Sequence, residues 1–208
     1  MQFFDLMHKN TLAHFGLIAF SWGKNGIGTE PNSSVSQPRL FGYSELWTDS
    51  VQCPLPMIGL DANSAVDNYS LVRSKVLETV PFGGTWISPA LEQAVSELKQ
   101  HGRRHAKKVI VLFTDGQPTG PQTPDYGRLK AREAAQAAHD AGIPIYTIGL
   151  SQNPDVQPGQ QDILTDEPGS QGIAAISGNG ARFFQVGRRE ELRAAFQEVA
   201  RDLTQLVR

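Results

Sequence analysis

The 208-residue sequence predicts an α/β fold on a doubly wound, mostly parallel sheet, and three features carry that expectation. Short continuous apolar runs, rather than alternating ones, recur along the chain and read as strands buried on both faces. Amphipathic segments of helical period stand between them. Capping residues, proline or glycine mark the junctions, which gives the strand–helix–strand rhythm of a parallel sheet. A chain of this length with 39% hydrophobic residues suits a single domain, residues 1–208, with one core.

Phe3, Phe4, Leu6 and Met7 fall at near-helical spacing, so the chain opens within a helix. Phe15-Gly-Leu-Ile-Ala-Phe20 is the first apolar run and is expected to be a core strand. Residues 22–80 turn to Gly, Pro, Ser and Asn with scattered aromatics, the composition of a long, loop-rich excursion. An edge strand is expected there at 43–48 or 57–60, and a short amphipathic helix at 68–79, before Pro81. Ser88-Pro89 then offers an N-cap and a first-turn proline to a helix carrying Leu91, Val95 and Leu98 and closed by Gly102. A strand follows at 108–113. An alanine-rich helix at 127–141 ends at Gly142, with Pro144 beyond, and leads to a strand at 145–150. A short helix at 172–176, a strand at 182–186 and a last helix with Leu192, Phe196, Val199, Leu203 and Leu206 on one face complete the pattern.

Composition removes several function classes. The net charge of −2 provides no excess to draw the chain onto nucleic acid or anionic lipid. No apolar run approaches the ~18 residues that span a bilayer, and no basic region follows Met1, so a membrane segment and a signal peptide are not expected. Cys53 is the one cysteine, which excludes an internal disulfide and a cysteine-based zinc cluster and leaves the compartment unassigned. It reads as a small buried hydrophobe. Neither a Gly-x-Ser-x-Gly elbow nor a Gly-x-x-x-x-Gly-Lys phosphate loop occurs, and no nucleophile stands with a base. The expected class is a non-enzymatic one.

In a doubly wound sheet, ligands bind at the carboxyl ends of the strands. The run at 108–113 leads straight into Thr114-Asp115-Gly116, which puts a carboxylate at such an end with a glycine to turn the backbone behind it. By itself an Asp-Gly pair after a strand is an ordinary turn. A second segment, Gly83-Gly84-Thr85 before the helix with Ala90-Leu91, stands thirty residues upstream of Asp115.

Together the two segments resemble the second and third loops of the metal-ion-dependent adhesion site of von Willebrand factor type A domains. The resemblance covers nearly the whole chain and extends to the strand ending Ile18-Ala-Phe20-Ser21, to Ile143-Pro-Ile-Tyr-Thr-Ile-Gly149, and to Arg182-Phe-Phe-Gln-Val186 with Glu191, Leu192 and Phe196. It implies a Rossmann-like sheet and a divalent cation, usually Mg²⁺ with Mn²⁺ or Ca²⁺ as substitutes, held by oxygens of three loops. A protein partner offering an acidic residue completes the coordination. By this resemblance Thr85 supplies a hydroxyl oxygen and Asp115 a carboxylate, directly or through water. Cys53-Pro-Leu-Pro56, the Thr85 loop and Leu203-Thr-Gln-Leu206 further resemble domains attached to bacterial tight-adherence pilus-assembly proteins, which implies a role in adhesion or assembly at the cell envelope.

The sequence also departs from the family pattern. The first loop, Asp-x-Ser-x-Ser after the first strand, is absent: Asp61-Ala-Asn-Ser64 and Asp67-Asn-Tyr-Ser70 have other spacings and follow no apolar strand. The resemblance therefore implies a family member lacking the first strand, which is central, between 15–20 and 109–113: Met1 is a mis-assigned or internal start within a longer protein, the favoured explanation, or another chain supplies the strand, or its two neighbours close up and pair directly. Two protein ligands and waters rarely hold Mg²⁺, so firm cation binding is expected of the intact parent rather than of this chain.

Two other readings remain. Similar domains partner ring ATPases in chelatase-like complexes, and a metal-dependent hydrolase with Asp115 as ligand would need further inward-facing carboxylates. The basic run at 103–108 with His101 is expected to serve a helix end and solubility. Asp155, Asp162, Asp166 and Glu167 are placed in a Pro/Gly/Gln-rich loop, and Trp22, Trp47 and Trp86 are expected to pack, with Trp86 beside Thr85.

Overall fold

The computed structural model describes residues 15–20, 56–58, 72, 85–115, 117–118, 123–151 and 158–205. The opening helix, the strand at 43–48, Cys53, Trp22, Trp47 and, except for the helical Val72, the helix at 68–79 lie outside the described residues. Within them the order is β1 (Leu17–Ile18), β2 (Pro56–Ile58), α1 (Ile87–Gln100), β3 (Ile110–Thr114), α2 (Pro124–Asp140), β4 (Ile145–Leu150), α3 (Pro158–Leu164), α4 (Ile173–Ser177), β5 (Phe183–Val186) and α5 (Arg189–Gln205).

Strands β3, β4 and β5 form a parallel sheet in that order, with Ile110 opposite Ile145, Thr114 opposite Gly149 and Thr147 opposite Phe183. β4 is its central strand and the most buried, as a continuous apolar run dictates when both faces are covered. β1 and β2 make a separate antiparallel pair. Among the described residues no ladder joins β1 to β3, the place where the resemblance implies a further strand.

The core nevertheless continues on both sides of that break. Phe20 packs with Ile110, Leu112, Ile145 and the inner faces of α1 and α2. Phe15 and Leu17 pack instead with Val109, Val111, Tyr146 and the Val199–Leu203 face of α5. The opposite placements of Leu17 and Phe20 follow from the alternation of side chains along an extended chain. α2 presents Ala131, Ala134, Ala135 and Ala138 to the core, a stripe of small side chains at helical spacing, and Leu91 and Val95 of α1 belong to the same cluster.

Local chemistry fixes the ends of these elements. Thr123 Oγ1 accepts the Tyr126 N–H at 3.2 Å and Pro124 takes the first helical position, so α2 starts earlier than the alanine run suggests. Gly142 then turns the chain at φ 68° toward β4. At α5 the Glu191 carboxylate accepts the Gly187 and Arg188 N–H groups at 2.7 and 3.1 Å, the carboxylate half of a capping box, which also places a negative charge at the helix start. The buried Ser177 hydroxyl accepts the Ile145 N–H at 2.9 Å and donates to the Ala174 carbonyl, joining α4 to the first residue of β4. Thr147 Oγ1 donates to the Leu164 carbonyl at 2.6 Å and fastens α3 to the middle of that strand.

Three expectations are corrected. α1 begins at Ile87 with Trp86 in the capping position, and buried Ser88 caps no backbone group: its hydroxyl accepts the Trp86 indole N–H at 2.8 Å. Residues 158–164, expected as loop, are the helix α3, because burying Ile163 and Leu164 outweighs the poor helical propensity of its proline and glycine. Asp166 is no loose acid of a surface loop, since its carboxylate accepts the Phe183 N–H at 3.1 Å and starts β5. Among the described residues no helix is long and apolar enough to cross a membrane.

Candidate metal centre

Asp115 directly follows β3, and its side chain is exposed. Its neighbour Thr114 is buried and registered against Gly149, so the ladder fixes the backbone up to the residue that carries the carboxylate. The chain is held again at Gln117 and Pro118. Gln117 Oε1 accepts from Arg128 Nη1 at 3.1 Å, and Pro118 is buried. Arg128 is itself aimed by Asp125, whose carboxylate it meets at 2.5 Å across one turn of α2.

Thr85 lies half-buried immediately before Trp86 and α1. A helix that packs on the sheet before entering the next parallel strand runs against the strand direction. α1 does so against Ile110 and Leu112, which puts its start, and Thr85, toward the end of the sheet where β3 finishes at Asp115. The positive end of the α1 dipole lies there as well. Trp86, half-buried beside Thr85, donates its indole N–H to Ser88 Oγ.

The donor chemistry suits a hard cation, because a hydroxyl and a carboxylate are both oxygen ligands of the kind Mg²⁺ takes at about 2.0–2.1 Å. The donor number is short. Among the described residues no three His, Cys, Asp or Glu side chains gather where they would hold a metal ion. If these two residues held such an ion, its remaining ligands would have to come from water and from a group approaching from outside. The same scarcity of carboxylates removes the hydrolase reading's main requirement, a cluster of inward-facing acids, from the described part of the chain.

The basic run lies elsewhere. Arg103, Arg104, His105 and Lys107 are exposed in the connection from α1 to β3, at the amino end of that strand and away from Asp115. His101 approaches Glu97 at 4.0 Å on the last turn of α1, the helix-end role the sequence suggests. The contact between Gln117 and Arg128 is a feature that sequence reasoning misses. The spacing of Asp125 and Arg128 announces an ion pair on one helix face, but nothing in the sequence says that the same guanidinium reaches back across the loop.

The sequence model of the von Willebrand factor type A domain matches residues 60–198, two thirds of the chain and a span that includes both Thr85 and Asp115. The chain is 29% identical over 147 residues to the collagen alpha-4(VI) chain of Mus musculus, covering 71% of this chain and 5% of that one. It is 30% identical over 97 residues to a UPF0353 protein of Mycobacterium tuberculosis, covering 45% of this chain and 28% of that protein. The chain thus spans less than a third of the length of these curated relatives. Among solved structures it is similar to the conserved hypothetical protein BatB from Bacteroides thetaiotaomicron, with a TM-score of 0.51 and 18% identity over 97% of this chain and 84% of that one, a likeness of fold. With the family's sequence model matching two thirds of its length and a parallel α/β sheet of the expected class, the chain belongs to the von Willebrand factor type A domain family.

Proposed function

We propose that this domain binds a protein partner through a divalent cation placed between Thr85 and Asp115, with an acidic side chain of the partner filling the coordination that the chain leaves open. Domains of this family are generally protein-interaction modules, and that coarser role follows from membership. The observation that supports the finer reading is the state of Asp115. It is an exposed carboxylate at the carboxyl end of a parallel strand, on a backbone anchored on both sides, at the end of the sheet where α1 begins. A cation with few protein carboxylates stays electron-poor, which favours an incoming carboxylate over other ligands. A setting in adhesion or pilus assembly rests on the resemblance of 53–56, the Thr85 loop and 203–206.

Water-proton relaxation in a Mn²⁺ titration of the full chain and of Asp115→Ala tests the reading. The expected result is weak binding by the parent chain and at least tenfold weaker binding by the variant, since loss of even an outer partner of a metal ligand costs about tenfold or more. Equal affinities would remove Asp115 from the site.

A further inference from the structure

We infer that Arg128 is a positioning residue for the Asp115 carboxylate, acting through Gln117, an inference that rests on the cation reading of that site. β3 ends its ladder at Thr114, opposite Gly149, and the backbone is next held at Gln117 and Pro118. Asp115 therefore stands between two anchored points, and the direction of its side chain depends on where the second of them lies.

That anchor is built from α2. Thr123 and Pro124 fix the helix start. Asp125 then receives one arm of the Arg128 guanidinium, and the other arm, Nη1, donates to Gln117 Oε1 at 3.1 Å. The planar fork serves two acceptors at once, which a lysine ammonium on a flexible stem does far less well. The Arg128 side chain is only 25% exposed, so the bond to Gln117 is partly shielded from competing water. Asp125 also sets a negative charge against the guanidinium. The loop is thereby held by an arginine without a net positive charge being added beside a cation site, where an unpaired one would oppose binding.

The experiment uses the full chain in two arms. In the first, without metal, amide hydrogen exchange is compared between the parent and Arg128→Ala. Exchange at residues 115–117 is expected to speed up about tenfold, the loss of roughly one hydrogen bond's worth of local protection, while Ile145–Leu150 is unchanged. In the second arm, Mn²⁺ affinity is measured for Arg128→Ala, Gln117→Ala and the double variant. Each single change is expected to weaken binding about tenfold, as loss of an outer partner of a metal ligand does. The double variant is expected to be no weaker than either single one, because both remove the same link. Unchanged exchange at 115–117, or additive losses in the double variant, would overturn the inference. Should Arg128→Ala fail to fold, Gln117→Ala carries both arms. A loss in Asp115→Ala with none in Arg128→Ala or Gln117→Ala would reject the positioning role and leave the cation reading standing. Equal Mn²⁺ affinity of the parent and Asp115→Ala would reject the cation reading itself.

Discussion

At the amino end of β5, Arg182 lies 2.9 Å from Glu198 and 3.4 Å from Asp202 of α5, with its guanidinium 5.0 Å from the centre of the Phe184 ring. Tyr146 is buried beside this group under the same helix. At the other end of the sheet, Asp115 is exposed, Thr85 stands half-buried at the start of α1, and Phe113 on β3 is 40% exposed although it stacks on Phe196 at 6.2 Å. One end spends its charges on its own helix, and the other presents a carboxylate to the outside. The difference teaches where this fold keeps stability and where it keeps chemistry. Ion pairs at the amino end tie α5 to the sheet, while the strand ends that feed loops carry the residues that the proposed cation would meet.

The widest break in the comparison comes from the framework both ends share. Ile148, fully buried between β5 and α5, is expected to cost about 3 kcal/mol when cut to alanine, seen as a lower denaturant midpoint, with both ends of the sheet loosened together. A pH effect is expected from the amino end. Burial is the main cause that raises the Tyr146 phenol above its ordinary value, with the Asp202 charge adding to it and Arg182 opposing. A raised folded-state value means that stability is complete below the unfolded phenol's pKa of about 10 and falls as pH rises past it. Alkaline unfolding followed in parallel for the parent and Tyr146→Phe checks this, and the fall is expected to be shallower in the variant. Arg182→Ala is a smaller change, about 1 kcal/mol or less, because its ion pairs are partly exposed and screened. Its effect should shrink in high salt. Smallest of all is Asp115→Ala, expected to shift the melting temperature by less than the equivalent of about 0.5 kcal/mol, as for an exposed side chain outside the packing. A large loss of stability in Asp115→Ala would erase the contrast between the two ends.

Much of this contrast was legible in the residues. The runs that became β3, β4 and β5 announce parallel strands because they are apolar without alternation, and Asp115 announces itself by following one of them directly. α2 is legible from its alanines, though its start at Pro124 shows only once Thr123 is recognised as a cap. α3 is hidden, since Pro158-Gly-Gln-Gln carries loop propensities and its helical state is enforced from outside, by the pocket that buries Ile163 and Leu164. The link from Arg128 to Gln117 spans eleven positions across a loop, and no periodic pattern encodes a contact of that kind. Within 15–20, the two-residue strand β1 is shorter than its apolar run suggests. β1 and β2 both lie outside the span matched by the family.

The central claim is that Thr85 and Asp115 serve one cation position. Paramagnetic broadening of backbone amide signals by Mn²⁺ tests it most directly, because the effect depends on distance from the ion and needs no substitution. The account predicts that Thr85 and Asp115 broaden together at the lowest Mn²⁺ concentrations while Arg182 and Asp202 stay sharp. Broadening of Asp115 while Thr85 stays sharp, or first loss of signal at the Glu198 and Asp202 amides, would contradict it.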